Sequence, residues 1–359
     1  MKKMLFLAAV SAIALTSCVN EENFEGPKPQ AQVMSFDAPV MKQTRANVMG
    51  EIQGHLYDKG EDFKVFCKIY EGTFTSWESA TDYFKTEGDV AKNEGGESSY
   101  WATEREYYWP EAQHNLAFAA YSPAVLTTAP TGGIEHTEEG LQIKGFQTEA
   151  NANEQYDLMY SDRILDRNRT NNGSVAVPLI FRHALSSIVF SSEKEDDKAQ
   201  YTINTATLTG DFVQTADFNQ NIAAVGDLKG TALWENPATA TNATYAPNFT
   251  PFDVTTTPTK FTEGTSALLL IPQAVPADAA VTITYTKKVT KGDGTINTTN
   301  NTATIKLSDF RQAGGEKITT WEMGKRYIYR IAFGQNKKIY FEPKTEDWVE
   351  VPTLIYEIE

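Results

Sequence analysis

Apolar and polar residues alternate with a period of two over most of the chain beyond about residue 60. In DFKVFCKIYEG, Phe63, Val65, Cys67 and Ile69 alternate with Lys64, Phe66, Lys68 and Tyr70, the pattern of a strand with one better-buried face. Runs of the same kind follow: YYWP at Tyr107, NLAFAAYSP at Asn115, GLQIKGF at Gly140 and YDLMYSD at Tyr156. A second series comprises SVAVPLIF, SSIVFSSE, AQYTINTATLTG, SALLLIPQ, AVTITYTKKV, NTATIKLSDF, KRYIYRIAFG and KKIYFEP. Helix signals are few, and residues 76–84 and 183–187 are the best of them. Lys291, Gly292, Asp293, Gly294 and Thr295 read as a hairpin tip, because Asp-Gly readily takes the positive φ of a tight turn. The polar, Asn-rich residues 166–174 separate the two strand series. The pattern predicts an all-β chain of two β-sandwich domains, over residues 50–172 and 173–359.

The N-terminus breaks this rhythm. Two lysines precede an apolar run over residues 4–15, too short for a bilayer core that needs ~20 apolar residues; this is the layout of a secretory signal peptide. Leu15, Thr16, Ser17 and Cys18 fit the bacterial lipobox, in which the thiol is acylated, palmitate being one such chain, and the peptide is cut just before it. Residues 1–17 therefore read as a lipoprotein signal peptide, with Cys18 as the anchor into outer-membrane lipid. Residues 18–49 form a leader rich in Pro, Gln, Ala and Glu with one apolar patch, VMSFDAPV. As a strand, that patch places Val33, Ser35 and Asp37 on one face and Met34, Phe36 and Ala38 on the other, and the second, more apolar face is expected to point inward. QTRANV, with Arg45 and Ala46, comes next.

Composition narrows the function. With Cys18 used for lipid, Cys67 is the only other cysteine, so the mature chain forms no internal disulfide and stability rests on packed cores. The net charge of −15 argues against nucleic acid, whose phosphates are bound by Lys and Arg, and suits an exposed extracellular body. The four histidines, His55, His114, His136 and His183, lack the close spacing of a metal-binding helix. No GxSxG, P-loop, CxxC or EF-hand pattern occurs. His183 reads as a hydrogen-bonded core histidine. Residues 193–197, EKEDD, lack the spaced oxygens and glycine of a calcium loop and read as a solvated hairpin tip. Tyr107, Tyr108 and Trp109 read as core more than as a sugar-stacking platform. No catalytic residue, metal or cofactor is expected.

In their order, the lipoprotein start, YYWP with LAFAAYSP, VPLIFRHALSSIVF, LLLIPQ, ITYT, WEMGKRYIYRIAF and KIYFEPKTEDW resemble the fimbrillin family, the type V pilin and Mfa-like lipoproteins of Bacteroidales. The acidic VNEENFEG after Cys18 resembles the surface-export signal of Bacteroidetes lipoproteins, and reads equally as a solvated tether. The resemblance implies two transthyretin-like, Greek-key sandwiches in a lipoprotein precursor. It further implies that an arginine-specific surface protease cuts between Arg45 and Ala46, removing the lipidated leader and its strand with Val33, Met34, Phe36 and Ala38. A donor strand from the C-terminal end of another fimbrial subunit then fills the groove, by strand addition to an open edge. Here the tail offers Leu354, Tyr356 and Ile358, alternating with Ile355 and Glu357; it reads also as an ordinary last strand of its own domain, since Pro352 suits an edge in either setting. The expected function is a structural subunit of a cell-surface fimbria, without enzymatic activity. The rival is a lipid-anchored adhesin or glycan-binding lipoprotein, which would show clustered exposed aromatics, and within the family a tip or anchor subunit.

Overall fold

Most strand-patterned sequence becomes strand in the computed structural model, which describes residues 33–37, 62–93, 101–111, 113–126, 128–172, 176–222, 231–311, 316–334 and 349–358; YYWP at Tyr107 makes only an isolated bridge through Tyr108, and KKIYFEP lies outside the described residues. The first elements are β1 (Phe36–Asp37), β2 (Phe63–Glu71), β3 (Thr81–Asp82), β4 (Asp89–Asn93), β5 (Trp101–Thr103), β6 (His114–Ser122), β7 (Gly133–Thr137), β8 (Gly140–Gln147), β9 (Met159–Ser161) and β10 (Ile164–Arg167). The short helix α1 (Arg169–Asn172) precedes β11 (Val177–Pro178), β12 (Phe181–His183), β13 (Ser186–Lys194), β14 (Ala199–Asn221), β15 (Thr231–Tyr245), β16 (Phe252–Asp253) and β17 (Thr259–Lys260). The chain continues through β18 (Leu268–Leu270), β19 (Gln273–Ala274), β20 (Ala280–Thr290), β21 (Ile296–Lys306), β22 (Thr320–Trp321), β23 (Lys325–Phe333) and β24 (Val349–Ile358).

These strands make an all-β protein of stacked sheets. A ten-stranded sheet runs β11-β1-β5-β4-β2-β6-β9-β12, with β10 on β6 and β3 on β2. A five-stranded sheet runs β17-β13-β23-β24 with β18 on β13, and a seven-stranded sheet runs β21-β20-β14-β8-β7 with β15 and β16 on β14. Alternation decides what each face does. On β20, Val281, Ile283 and Tyr285 join Phe190, Leu208, Tyr329 and Ile331 in the core between the five- and seven-stranded sheets, while Thr282, Thr284 and Thr286 point away from it. On β2, Phe63, Val65 and Cys67 enter one core and Phe66 enters another. Both faces of that strand are therefore packed in the same way that Leu116 and Phe118 on β6 oppose Ala117 and Ala119.

Strand pairing crosses the expected 172/173 division in both directions. β11 and β12 lie beyond it but complete the ten-stranded sheet. The β7–β8 hairpin lies before it but pairs with β14 of the seven-stranded sheet. A third core, with Phe66, Ala117, Ile143, Phe146, Phe218 and Leu269, draws on residues from both sides. Gly145 makes the β8 pairing possible: at φ +74 it occupies the bulge where the register shifts between Ala216 and Phe218, and a Cβ there would strike Thr131.

Two helix expectations are corrected. Residues 76–84 form turns and β3 instead, because Thr81 and Asp82 pair with Ile69 and Lys68 of β2 and Tyr83 N donates to Cys67 O at 2.8 Å, so the backbone bonds go to a neighbouring strand and not to a helical ladder. Residues 183–187 end β12 and begin β13. The polar residues 166–174 contain α1, with the Asn168 side chain accepting from the N–H groups of Thr170 and Asn171. The 291–295 tip is as expected, with Gly294 at φ +80 and Lys291 N donating to Thr295 O at 2.8 Å. EKEDD is no solvated hairpin tip at its start: Glu193 is buried on β13, 3.6 Å from Arg330.

Candidate functional site

The segment 33–37 is bonded on both sides within the ten-stranded sheet. Phe36 pairs in parallel with Val177 of β11 and antiparallel with Trp101 of β5. Met34 N donates to Tyr107 O at 2.8 Å, Val177 N to Ser35 O at 2.8 Å and Leu179 N to Asp37 O at 2.7 Å. Val33 bridges Tyr108 and is exposed, whereas Met34 and Phe36 are 1% and 0% exposed. A segment bonded on both sides, unlike an edge strand, leaves two open ladders if withdrawn.

Its side chains hold the core as well as its backbone holds the sheet. Phe63, Phe84 and Phe118 meet the Phe36 ring edge-on at centroid distances of 6.1, 6.3 and 5.8 Å, the geometry favoured by aromatic quadrupoles. Burying Met34 and Phe36 contributes about 3–6 kcal/mol gross, at ~1.5–3 each. Nearby, Tyr107 donates to Asp89 at 2.8 Å; burial and the Asp89 carboxylate push its hydroxyl up to about 12, so it stays a donor at neutral pH.

Of the other residues expected to act, Cys18, Ala38, Arg45 and Ala46 lie outside the described residues. Leu354, Tyr356 and Ile358 lie on β24, which runs parallel to β23 with those residues opposite Tyr329, Ile331 and Phe333. The ladder shifts between Tyr327 and Tyr329, where Pro352 and Thr353 together oppose Ile328; a bulge is where a residue without an N–H is tolerated. The sequence did not reveal the ladder partners Trp101 and Val177. Phe63 and Phe118 were legible as core from alternation, but their convergence on Phe36 was not.

Most of the other side chains singled out in the sequence are buried. His183 Nδ1 lies 2.7 Å from the Asp157 carboxylate, and both side chains are buried. Tyr107 and Trp109 are buried while Tyr108 is exposed. Cys67 is buried, and desolvation, with Asp82 nearby, raises its thiol well above the ordinary range, which leaves it unreactive. Among the described residues no group of three or more His, Cys, Asp or Glu side chains converges on a point that could hold a metal, and no helix is long and apolar enough to cross a membrane.

What the site defines is an all-β protein whose ten-stranded sheet is completed by residues 33–37. A fimbrillin-like family profile matches residues 44–348. The chain belongs to that family. Among solved structures it is similar to a fimbrial protein from Bacteroides vulgatus, with a TM-score of 0.56 and 16% identity over 89% of this chain and 100% of the other. It is similar also to a protein proposed to act in cell adhesion from Bacteroides uniformis, with a TM-score of 0.48 and 14% identity over 86% and 95%. The fimbrial anchor protein Mfa2 from Porphyromonas gingivalis matches with a TM-score of 0.23 and 10% identity over 75% and 82%. No match was found among curated proteins by sequence.

Proposed function

We propose that this protein is a structural subunit of a cell-surface fimbria, made as a lipoprotein precursor anchored through Cys18 and assembled by strand exchange after cleavage between Arg45 and Ala46. The observation that carries the reading is the placement of residues 33–37 between β5 and β11, with Phe36 at the centre of an aromatic core. Cleavage at Arg45 would free that segment from the folded chain, opening two ladders and the space around Phe63, Phe84 and Phe118. Such a groove takes an extended peptide with apolar residues at every second position. Leu354, Tyr356 and Ile358 have the spacing of Met34, Phe36 and Ala38, with an aromatic residue in the middle of each set, so the tail of a second subunit matches the vacated strand. Family membership and the likeness to a fimbrial protein support the same reading. The partners are then other subunits, the outer membrane before cleavage, and an arginine-specific protease.

A glycan-binding surface draws on clustered exposed rings. Among the described residues, Tyr108 and Tyr156 are the large exposed aromatics, and no ring contact joins them, which favours the assembly reading. N-terminal sequencing of protein sheared from cells tests it. The expected first residue is Ala46, and filaments whose subunits still begin at Cys18 reject it.

A further inference from the structure

β21 is an edge of the seven-stranded sheet: among the described residues it pairs with β20 alone. Its ladder to β20 is unbroken from Ala280↔Lys306 to Thr290↔Ile296, without a bulge. Open edges offer unpaired N–H and C=O groups, and proteins blunt them with proline, charge, bulges or shortness. The other long edges carry these devices. β15 has Glu235, Pro237 and three register shifts against β14, and β24 has Glu350, Pro352, Glu357 and a shift against β23. β7 has five residues, and β11 and β12 have two and three. Over residues 296–305, β21 has no charge, no proline and no glycine.

What this edge presents is a polar ladder that stops halfway. The Thr205 and Thr284 hydroxyls lie 2.7 Å apart, those of Thr282 and Thr304 3.0 Å, and the Thr286 hydroxyl donates to Asn300 at 3.1 Å. Rows of hydroxyls and amides thus cross β14, β20 and β21, ending at Asn300, Thr302 and Thr304, while Thr298 lies opposite Lys288 of β20; all four edge residues are exposed. Thr–Thr pairs across strands are stabilising, and one further strand would continue each row.

An antiparallel strand added in the same sheet matches side chains face to face, so even-numbered positions of a second β21 meet even-numbered ones. Centred on Asn300, that register sets Asn300 against its own copy, Thr298 against Thr302, and Ile296 against Thr304. It also brings Lys306 opposite Gly294 and beside Asp293, whose carboxyl is held below its ordinary range by hydrogen bonds from Thr295. In that register the edge matches itself in polar side chains and sets opposite charges together. We propose that β21 pairs antiparallel with β21 of a second copy of this chain, continuing the seven-stranded sheet across a two-fold axis through Asn300.

A strand edge alone covers less than the roughly 1,200–2,000 Å² of a stable interface, so one contact is weak. Repeated along two neighbouring filaments it would gain by multivalency and hold them side by side. That consequence rests on the fimbrial reading, whereas the pairwise contact belongs to the single folded chain.

Sedimentation equilibrium of the full chain at about 0.1–1 mM, a range that reveals weak association, tests the contact, with Cys18→Ser so that buried Cys67 is the only native thiol. A reversible dimer is expected, weakened at least about tenfold by Thr298→Lys with Thr302→Lys, which set like charges opposite one another, and unchanged by deletion of residues 353–359. In the same background, Asn300→Cys should form a disulfide-linked dimer on oxidation, because directly opposed residues lie within the ~4.4–6.8 Å Cα separation of a disulfide, and Thr299→Cys should not. A chain that stays monomeric, or that crosslinks equally at both positions, overturns the proposal. So does a dimer abolished by removal of the tail but indifferent to the lysines.

Discussion

Phe36 completes the N-terminal core by three edge-on ring contacts and no polar group, so its truncation leaves a cavity that its rigid neighbours cannot refill. Phe36→Ala should destabilise the uncut protein by about 3–5 kcal/mol, read as a lower denaturant midpoint, and Phe36→Leu by less. An unchanged midpoint would mean that the segment contributes nothing to the folded precursor. His136 is a second residue with a measurable consequence. Its ring lies 4.3 Å from Trp77 and 5.6 Å from Phe66 by centroids, and burial, with Arg163 and then Lys68, lowers its pKa well below 6.5. The Arg163 guanidinium is itself fixed by the carbonyls of Thr137 and Glu138 and stacks on Trp77 at 4.9 Å. The unfolded chain therefore binds the proton that the folded chain refuses. The associated stability is complete above the unfolded value and is lost as pH falls below it. Melting temperatures at about pH 7.5 and about pH 5 should differ less for His136→Phe than for the wild type; equal differences would remove His136 as the cause.

Among elements, β24 is the one whose position and proposed role pull apart. Within its own chain it lies parallel to β23, an edge that a donor must leave. If it serves as donor, the cores are complete without it, so deleting residues 353–359 should end chain growth beyond this subunit while shifting the melting temperature by only a few degrees, equivalent to ~1 kcal/mol. A fall of about 10 °C or more would make it an integral last strand, since a ladder of hydrogen bonds is then lost with its packing. β1 shows how little sequence such an element needs. Two strand residues, flanked by three more backbone bonds, suffice because the partners on both sides are already in place.

For the molecule as a whole, residues 33–37 belong to the same compact unit as the rest of the described strands, so the proposed cut would act on a chain in which that segment is already paired. Arg45→Ala should therefore yield a stable, lipid-anchored protein that does not polymerise. Mass spectrometry of the membrane fraction and electron microscopy of the cells check this together; normal filaments from Arg45→Ala cells would show that maturation lies elsewhere. Both the fold and the paired segment 33–37 are expected to persist in that variant, because Phe36 and Asp37, which pair with β5 and β11, are unchanged.

The all-β character was legible in the sequence because strand periodicity is local: Val281, Ile283 and Tyr285 face inward by alternation alone, and the Asp-Gly tip names its own turn. The inward side of residues 33–37 was equally readable, since Met34 and Phe36 make one face wholly apolar while Val33 shares the other with Ser35 and Asp37. Long-range pairing was not readable, because a strand's pattern says which face is buried and is silent about which neighbour takes its backbone bonds. So the sequence could mark Val33, Met34 and Phe36 as a strand, while tertiary structure alone decided that Trp101 and Val177 flank it. The crossing of the β7–β8 hairpin onto β14, the turn that replaces a helix at residues 76–84, and the pairing of His183 with Asp157 were likewise decided by partners far away in the chain. In each, a contact supplied by a distant carboxylate or strand outweighs a local preference worth less than about 1 kcal/mol per residue.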